Sequence, residues 1–273
     1  MRQHPILQKF YAIPLDGHRL AIMWLGQNGF LVRSHDVVLL FDPYLSDFAG
    51  QWTSGWPIEH IRMHSIPVPP QDVYGVHYVF CSHDHVDHID PFTIPIIAVR
   101  NPETFFVAPK SAELRMKGLY VQENQLLLLQ GNDSIDLPPI RVHAIPAAHA
   151  HLDYRDESGY PYLSYVVEFS GRTIFHAGDT VPYDGQVDYL APFHIDLAFL
   201  PINGRKDPAL NMEPNFSINE AIDFARKIKT KCVIPMHYDM YTINTANIAD
   251  FVRQAHGRIN YKVTQLAIPL IFD

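Results

Sequence analysis

Behind the apolar run Val76 to Cys81 the chain carries Ser82-His83-Asp84-His85-Val86-Asp87-His88, three imidazoles and two carboxylates in seven positions. A fold that buries this stretch must give those groups a common cation, because neutral imidazole nitrogens and carboxylate oxygens are the ligands that zinc, manganese and iron take. On an extended or turning backbone, residues two apart point the same way, so His83 and His85 are expected to grip one ion while Asp87 and His88 turn toward a second position. The bland alternative is a solvated polar turn.

A chain of 273 residues is long enough for a full core with an internal site, and one domain over 1–273 is the expectation. The net charge of -8, with no run of lysine and arginine, argues against holding a nucleic-acid backbone through counterion release. The N-terminus lacks an apolar leader, and no stretch approaches the roughly 20 apolar residues that span a bilayer. A cytoplasmic protein without membrane contact is therefore expected. Cys81 and Cys232 are too few for a disulfide framework and read as buried strand residues, with a thiol ligand as the outside reading. Sixteen histidines exceed what a core needs and point to metal or proton chemistry. His4, His18, His35, His60, His64, His194 and His256 have no partner at ligand spacing and read as surface or packing residues.

The first third predicts a meander of strands over 20–24, 30–33 and 37–41, broken at Gly26-Gln27-Asn28-Gly29 and Ser34-His35-Asp36. Residues 43–72 dissolve into Pro, Gly, Ser and aromatics, including Trp52 and Trp56. A connection this long is a lid or binding loop, or a structured surface loop whose tryptophans cap the core. Asp90-Pro91 carries helix-start chemistry, with Pro95 in the first turn of a helix running to Arg100. Further strands are expected over 104–107, 126–129, 140–145, 196–200, 232–235 and 261–268, with a hairpin over 162–176 turning at Ser170-Gly171. Helices are expected over 111–117, closed by Gly118; from the Ser217/Glu220 capping box to about 229; and over 245–255, closed by Gly257. Strands in both halves, with helices after them, suggest two sheets packed face to face and covered by helices.

Three more polar residues stand where apolar runs end: His149 after Ile145-Pro146-Ala147-Ala148, Asp179 in Phe175-His176-Ala177-Gly178-Asp179, and His237 after Val233-Ile234-Pro235-Met236. Each alone reads as a satisfied polar group. Together with the cluster they form a set.

The order His83-x-His85-x-Asp87-His88, His149, Asp179, His237 resembles the metallo-β-lactamase superfamily over nearly the whole chain, supported by Leu40-Phe41-Asp42-Pro43 and Val233-Ile234-Pro235-Met236-His237-Tyr238. The signature is specific for fold and metal, and much less so for substrate. Within the superfamily, Trp24-Leu25-Gly26-Gln27-Asn28-Gly29, Ser82 through Asp90 and Pro235-Met236-His237-Tyr238-Asp239 resemble the bacterial L-ascorbate phosphate lactonase branch. The wider group includes N-acyl phosphatidylethanolamine phospholipase D, whose Pro-Ala-x-His pattern is matched by Pro146-Ala147-Ala148-His149.

The resemblance implies an α/β four-layer αββα sandwich of two mixed sheets. It also implies two divalent ions, zinc or manganese with iron also accepted. His83, His85 and His149 would hold one ion, Asp87, His88 and His237 the other, and Asp179 would bridge them. An activated water would then attack a small anionic or sugar-derived ester, foremost a lactone. The second enzymatic reading is a phosphodiesterase or phospholipase, and the third a non-catalytic metal-binding protein. Asp87, Asp179 and Tyr238 are the expected catalytic residues, with Tyr154 and Tyr160 as further donor candidates. Arg205, in the loop 203–211, together with Trp52 and Tyr154, is expected to contact the substrate. Asp42 and Asp239 are expected to orient histidines. The expected partner is a small anionic molecule, without nucleic acid, and a homo-oligomer stays open.

Overall fold

The computed structural model describes residues 4–205 and 214–273. Strands β1 (Leu20–Gly26), β2 (Gly29–Arg33) and β3 (Val38–Phe41) form the expected antiparallel meander. β4 (Tyr78–Phe80), β5 (Phe105–Pro109) and β6 (Leu126–Leu129) extend it in parallel. A second sheet starts with β7 (Ser134–Leu137), β8 (Ile140–Pro146), β9 (Leu163–Phe169) and β10 (Arg172–His176), all antiparallel, and continues in parallel through β11 (Leu197–Pro201) and β12 (Cys232–Met236). β13 (Leu270–Phe272) closes the free edge of the first sheet beside β1.

Both faces of the first sheet are buried, which is why its strands read as continuous apolar runs. Leu20, Ile22 and Trp24 point to a core shared with Tyr165, Phe175 and Phe199 of the second sheet. The alternate residues Ala21, Met23 and Leu25 meet the outer layer. That layer is built by α1 (Pro5–Tyr11), α3 (Ile94–Arg100) and α4 (Glu113–Gly118), through Leu7, Phe10, Ile94, Ile97 and Met116. A short helix, α2 (Phe48–Trp52), lies in the long connection, and α5 (Gln186–Leu190) precedes β11. The second sheet is covered by α6 (Ile218–Lys227) and α7 (Ile248–Ala255), through Ala221, Ile222, Ala225 and Phe251. The result is the four-layer αββα sandwich of two mixed sheets. Among the described residues, no helix is long and apolar enough to cross a membrane.

Local chemistry explains several boundaries. β9 and β10 join at Ser170 (φ +50°) and Gly171 (φ +69°), the left-handed pair that a two-residue hairpin turn requires. The Asp90 carboxylate accepts from the Phe92 N–H and the Thr93 hydroxyl, so a turn comes first and α3 starts at Ile94 rather than at Pro91. Asn247 caps the Ala249 N–H and delays α7 to Ile248. The strand expected over 261–268 is a correction: only single bridges form there, Tyr261 to Val233 and Leu266 to Trp24, and pairing resumes in β13.

α6 begins with the expected capping box, in which Ser217 Oγ accepts from the Glu220 N–H and the Glu220 carboxylate from the Ser217 N–H. Partial burial pushes the Glu220 carboxyl up, but hydrogen bonds from Arg205 and Ser217 outweigh it and leave its pKa below the usual value. A depressed carboxylate adds stability above the ordinary glutamate range and loses it as pH falls through the folded pKa. Ser217→Ala is expected to cost about 1 kcal/mol in urea unfolding near neutral pH. Glu220→Gln should also destabilise, by less as the buffer is acidified through the carboxylate range.

Candidate metal centre

The ends of β1, β3, β4, β8, β10 and β12 converge on one rim of the sandwich, and the loops leaving them are tied together by backbone hydrogen bonds. The Asp42 N–H donates to Phe80 O (2.8 Å), Leu163 N–H to Ser82 O (2.9 Å) and Val181 N–H to Ala148 O (2.7 Å). Gly178 is required at this seam, because a Cβ there would lie 2.6 Å from the Ser82 Cβ. Three non-glycine residues on the rim, Gln27 (φ +50°), Asp42 (φ +36°) and His237 (φ +62°), adopt left-handed backbone. Such strain costs on the order of 1 kcal/mol each and persists where surrounding contacts enforce it.

All seven residues singled out in the sequence meet here. His83 Nε2 lies 2.8 Å from His85 Nδ1, and a nitrogen of each lies within 4.8 Å of one on His149. A second trio, His83, His88 and Asp179, satisfies the same limit. Asp179 Oδ2 sits 3.6 Å from His88 Nε2, 3.4 Å from His149 Nε2 and 3.5 Å from His237 Nε2, between the two groups. Asp87 Oδ1 stands 3.8 Å from His88 Nε2. The Gln27 side-chain amide spans Asp87 Oδ2 (2.8 Å) and His237 Nε2 (3.2 Å).

Each ring is oriented by what holds its other nitrogen. His149 Nδ1 donates to Pro214 O (3.1 Å), leaving Nε2 toward Asp179. His88 Nδ1 lies 2.9 Å from Asp42 Oδ2, and His83 Nδ1 lies 2.9 Å from Ser82 Oγ. Ser82 in turn donates its hydroxyl and its N–H to the Asp42 carboxylate, 2.7 Å each. Asp42 therefore orients His88 as expected. Asp239 has no recorded bond to any of the seven; its electrostatic neighbour is His64.

Beyond its place in the turn and in the Trp24 to Gly29 motif, Asn28 donates its amide to Asp179 Oδ1 at 2.6 Å, so one carboxylate oxygen is held and the other is offered. His176, also unassigned, donates from Nε2 to Asn28 O (2.9 Å) while its Nδ1 accepts the Gly178 N–H. A polar Gln-Asn pair between two apolar runs is the sequence signal for this support.

Burial drives the pKa of His83 well below the usual imidazole value, with His88 and His85 adding to the effect, and burial lowers His149 as well. Burial also disfavours charge on His88, but Asp42, Asp179 and Asp87 outweigh it and raise its pKa. Burial would raise Asp179, and His237 and His88 reverse that, holding it well below the ordinary range. His83 and His149 are thus favoured as neutral donors, while the carboxylates favour positive charge beside them. The residues fit a metal: His88 Nε2 is buried without a hydrogen-bond partner among the described residues while standing 3.6 Å from Asp179 and 3.8 Å from Asp87, and the donors are of the types divalent cations take.

The cluster floors a cavity of about 400 Å³, with Asp84, His85, Asp87, His149, Asp179 and His237 at its base and Trp52, His60 and Arg115 on its walls. Trp52 lines the cavity, its ring stacked on Phe48 (6.3 Å) and tilted against Trp56 (5.5 Å, 57°). The long connection is pinned rather than free, since Met63 N–H donates to Met240 O (2.8 Å) and Thr242 N–H to Ile61 O (3.0 Å).

Three other expectations are corrected. Tyr238 turns into the core, its hydroxyl donating to Thr264 O (3.0 Å) and its ring stacked on Trp24 (4.6 Å). Tyr154 is 59% exposed and packs on Tyr160, outside the cavity wall. Arg205 pairs with Glu220 away from the cavity, and residues 206–211 of its loop lie outside the described residues. The cation on the wall is instead Arg115, on α4, whose Nε is 2.7 Å from Asp84 Oδ1. Tyr162, also unassigned, sets its ring 5.3 Å from His83 and 5.4 Å from His149.

Comparison with known proteins agrees with this geometry. The chain is 25% identical over 241 residues to a UPF0173 metal-dependent hydrolase of Alkaliphilus metalliredigens, covering 86% of this chain and 92% of that one. It is 26% identical over 242 residues to another from Nanoarchaeum equitans, covering 88% and 93%. Igni18, a metallo hydrolase of Ignicoccus hospitalis, superposes with TM-score 0.67 at 19% identity, covering 93% of this chain and 99% of that one. An isothiocyanate hydrolase from Delia radicum gut bacteria superposes with TM-score 0.74 at 15% identity, again covering 93% and 99%, a likeness of fold. Residues 38–238 match the family described as Beta-lactamase superfamily domain, and the chain belongs to that metallo-β-lactamase superfamily.

Proposed function

We propose that this metal-dependent hydrolase cleaves a small anionic or sugar-derived ester, foremost a lactone, in the cytoplasm, with two divalent cations, zinc, manganese or iron, in the His/Asp cluster. The observation that carries the reading is the Asp179 carboxylate, one oxygen fixed by Asn28 and the other placed between His88, His149 and His237 at the floor of the cavity. His83, His85 and His149 would hold one cation, Asp87, His88 and His237 the other, with Asp179 shared.

When bound, such ions lower the pKa of a coordinated water toward neutrality and polarise the carbonyl oxygen under attack. The chain's own residues do the rest. Asp42, Ser82 and Pro214 fix which imidazole nitrogen faces the centre. Trp52 walls the cavity on one side, and Arg115 offers a positive group for an anionic substituent on another. The lactone preference rests on the resemblance of Trp24 to Gly29 to the lactonase branch; the same stretch supplies Gln27 to Asp87 and Asn28 to Asp179.

Asp179→Asn is expected to lower kcat/KM on lactones by at least about 10³-fold while circular dichroism stays native, since it removes a shared ligand. Turnover of bis-aryl phosphodiesters but of no lactone would shift the reading to phosphoryl transfer. Asp42→Asn should weaken ion affinity about 10- to 100-fold, measured by competition with a chromogenic chelator, because His88 loses its orienting carboxylate. Ion binding should release protons, so affinity falls as pH falls; calorimetry in buffers of different ionisation enthalpy reads this directly.

A further inference from the structure

We propose that His60 donates a hydrogen bond to the substrate oxygen that becomes negative during hydrolysis, making it a catalytic residue of this site; the inference rests on the hydrolase reading above. The sequence placed His60 among packing histidines, since its neighbours lie far along the chain. In the fold it lines the same cavity as Asp87, Asp179 and His237.

Its position is fixed from several sides. The His60 N–H donates to Thr53 Oγ1 (2.9 Å). The His60 carbonyl is approached so closely by Gly50 that a Cβ there would stand 2.9 Å away. The following residues pair with 240–242, the loop that leaves His237. The ring stands edge-on to Tyr241, centroids 5.0 Å apart at 87°.

Nδ1 is buried with no hydrogen-bond partner among the described residues, which leaves Nε2 as the ring nitrogen that this cavity-lining residue can offer. A ring hydrogen on Nδ1 would have no acceptor, so a neutral ring keeps it on Nε2, and a protonated ring carries it there too. In either state Nε2 carries the N–H. On the same wall the Thr53 hydroxyl donates to Ala49 O (2.8 Å). The tyrosines expected to donate, Tyr238, Tyr154 and Tyr160, are absent from the lining.

In lactone opening, the water oxygen bonds to the carbonyl carbon and the carbonyl electron pair moves to its oxygen, which accepts from His60 Nε2–H. Collapse restores the C=O bond and breaks the ring C–O bond, and the departing alkoxide takes a proton that the water brought. His60 ends the cycle with the hydrogen it began with. A preorganised donor to an oxyanion contributes about 10²- to 10³-fold in kcat.

The test compares His60→Ala and His60→Gln in ion-loaded protein on a lactone substrate, with inorganic phosphate as a tetrahedral oxyanion probe by calorimetry. His60→Ala should lower kcat by about 10²-fold or more with KM little changed and weaken phosphate about tenfold, while ion content and melting temperature stay at wild-type values. His60→Gln, which keeps an N–H donor, should recover a large part of both. Wild-type kcat and phosphate affinity in His60→Ala would overturn the proposal, as would equal losses in both variants. If the wild-type protein hydrolyses neither lactones nor phosphodiesters, the proposed substrate reading fails, and the phosphate affinities alone then decide on His60.

Discussion

A single buried carboxylate organises this molecule. Asp179 lies at the end of β10, almost without solvent contact, and three imidazoles from three other strand ends approach its free oxygen within 3.6 Å. An uncompensated charge in such a place would cost several kcal/mol. Asn28, His88 and His237 supply what it needs, and each is held in turn: Asn28 by His176, His88 by Asp42, and the His237 backbone N–H by Gln27 O. The two sheets are thereby joined at their functional rim by polar contacts, while Phe41, Phe80, Tyr165 and Phe199 join them below by apolar packing.

The same arrangement explains where backbone strain collects. Gln27, Asp42 and His237 each follow directly on a strand, β1, β3 and β12, with positive φ. Loops pinned by Ser82 O, Ala148 O and Gln27 O have little freedom to relax away from that geometry. A rigid first layer suits a site whose task is to hold ligands at fixed separations. The exposed aromatics Trp52 and Trp56 stand above it on the long connection.

Much of this was legible in the chain because it is local. Continuous apolar runs such as Leu20 to Trp24 gave the strands, and the cluster from His83 to His88 gave four of the seven site residues within six positions. His149, Asp179 and His237 could be paired with it because each ends an apolar run. Side-chain direction was not legible. After His237 turns with φ +62°, Tyr238 drops into the core against Trp24, which the sequence cannot reveal. Arg205 lost its expected role to a neighbour, Glu220, that it reaches only once α6 forms. β7 was missed because Ser134 to Leu137 is an edge strand with half its residues exposed. His60 was dismissed because Tyr241, its packing partner, lies far along the chain and only the fold brings them together.

The central claim is that Asp179 lies between two cations held by seven distant side chains. Anomalous diffraction at the metal absorption edges, from crystals of protein purified with its own metal, tests it most directly. The account predicts two peaks about 3.5–4 Å apart, flanking the Asp179 carboxylate. Peaks elsewhere, or none in crystals of protein that still turns over substrate, would contradict it.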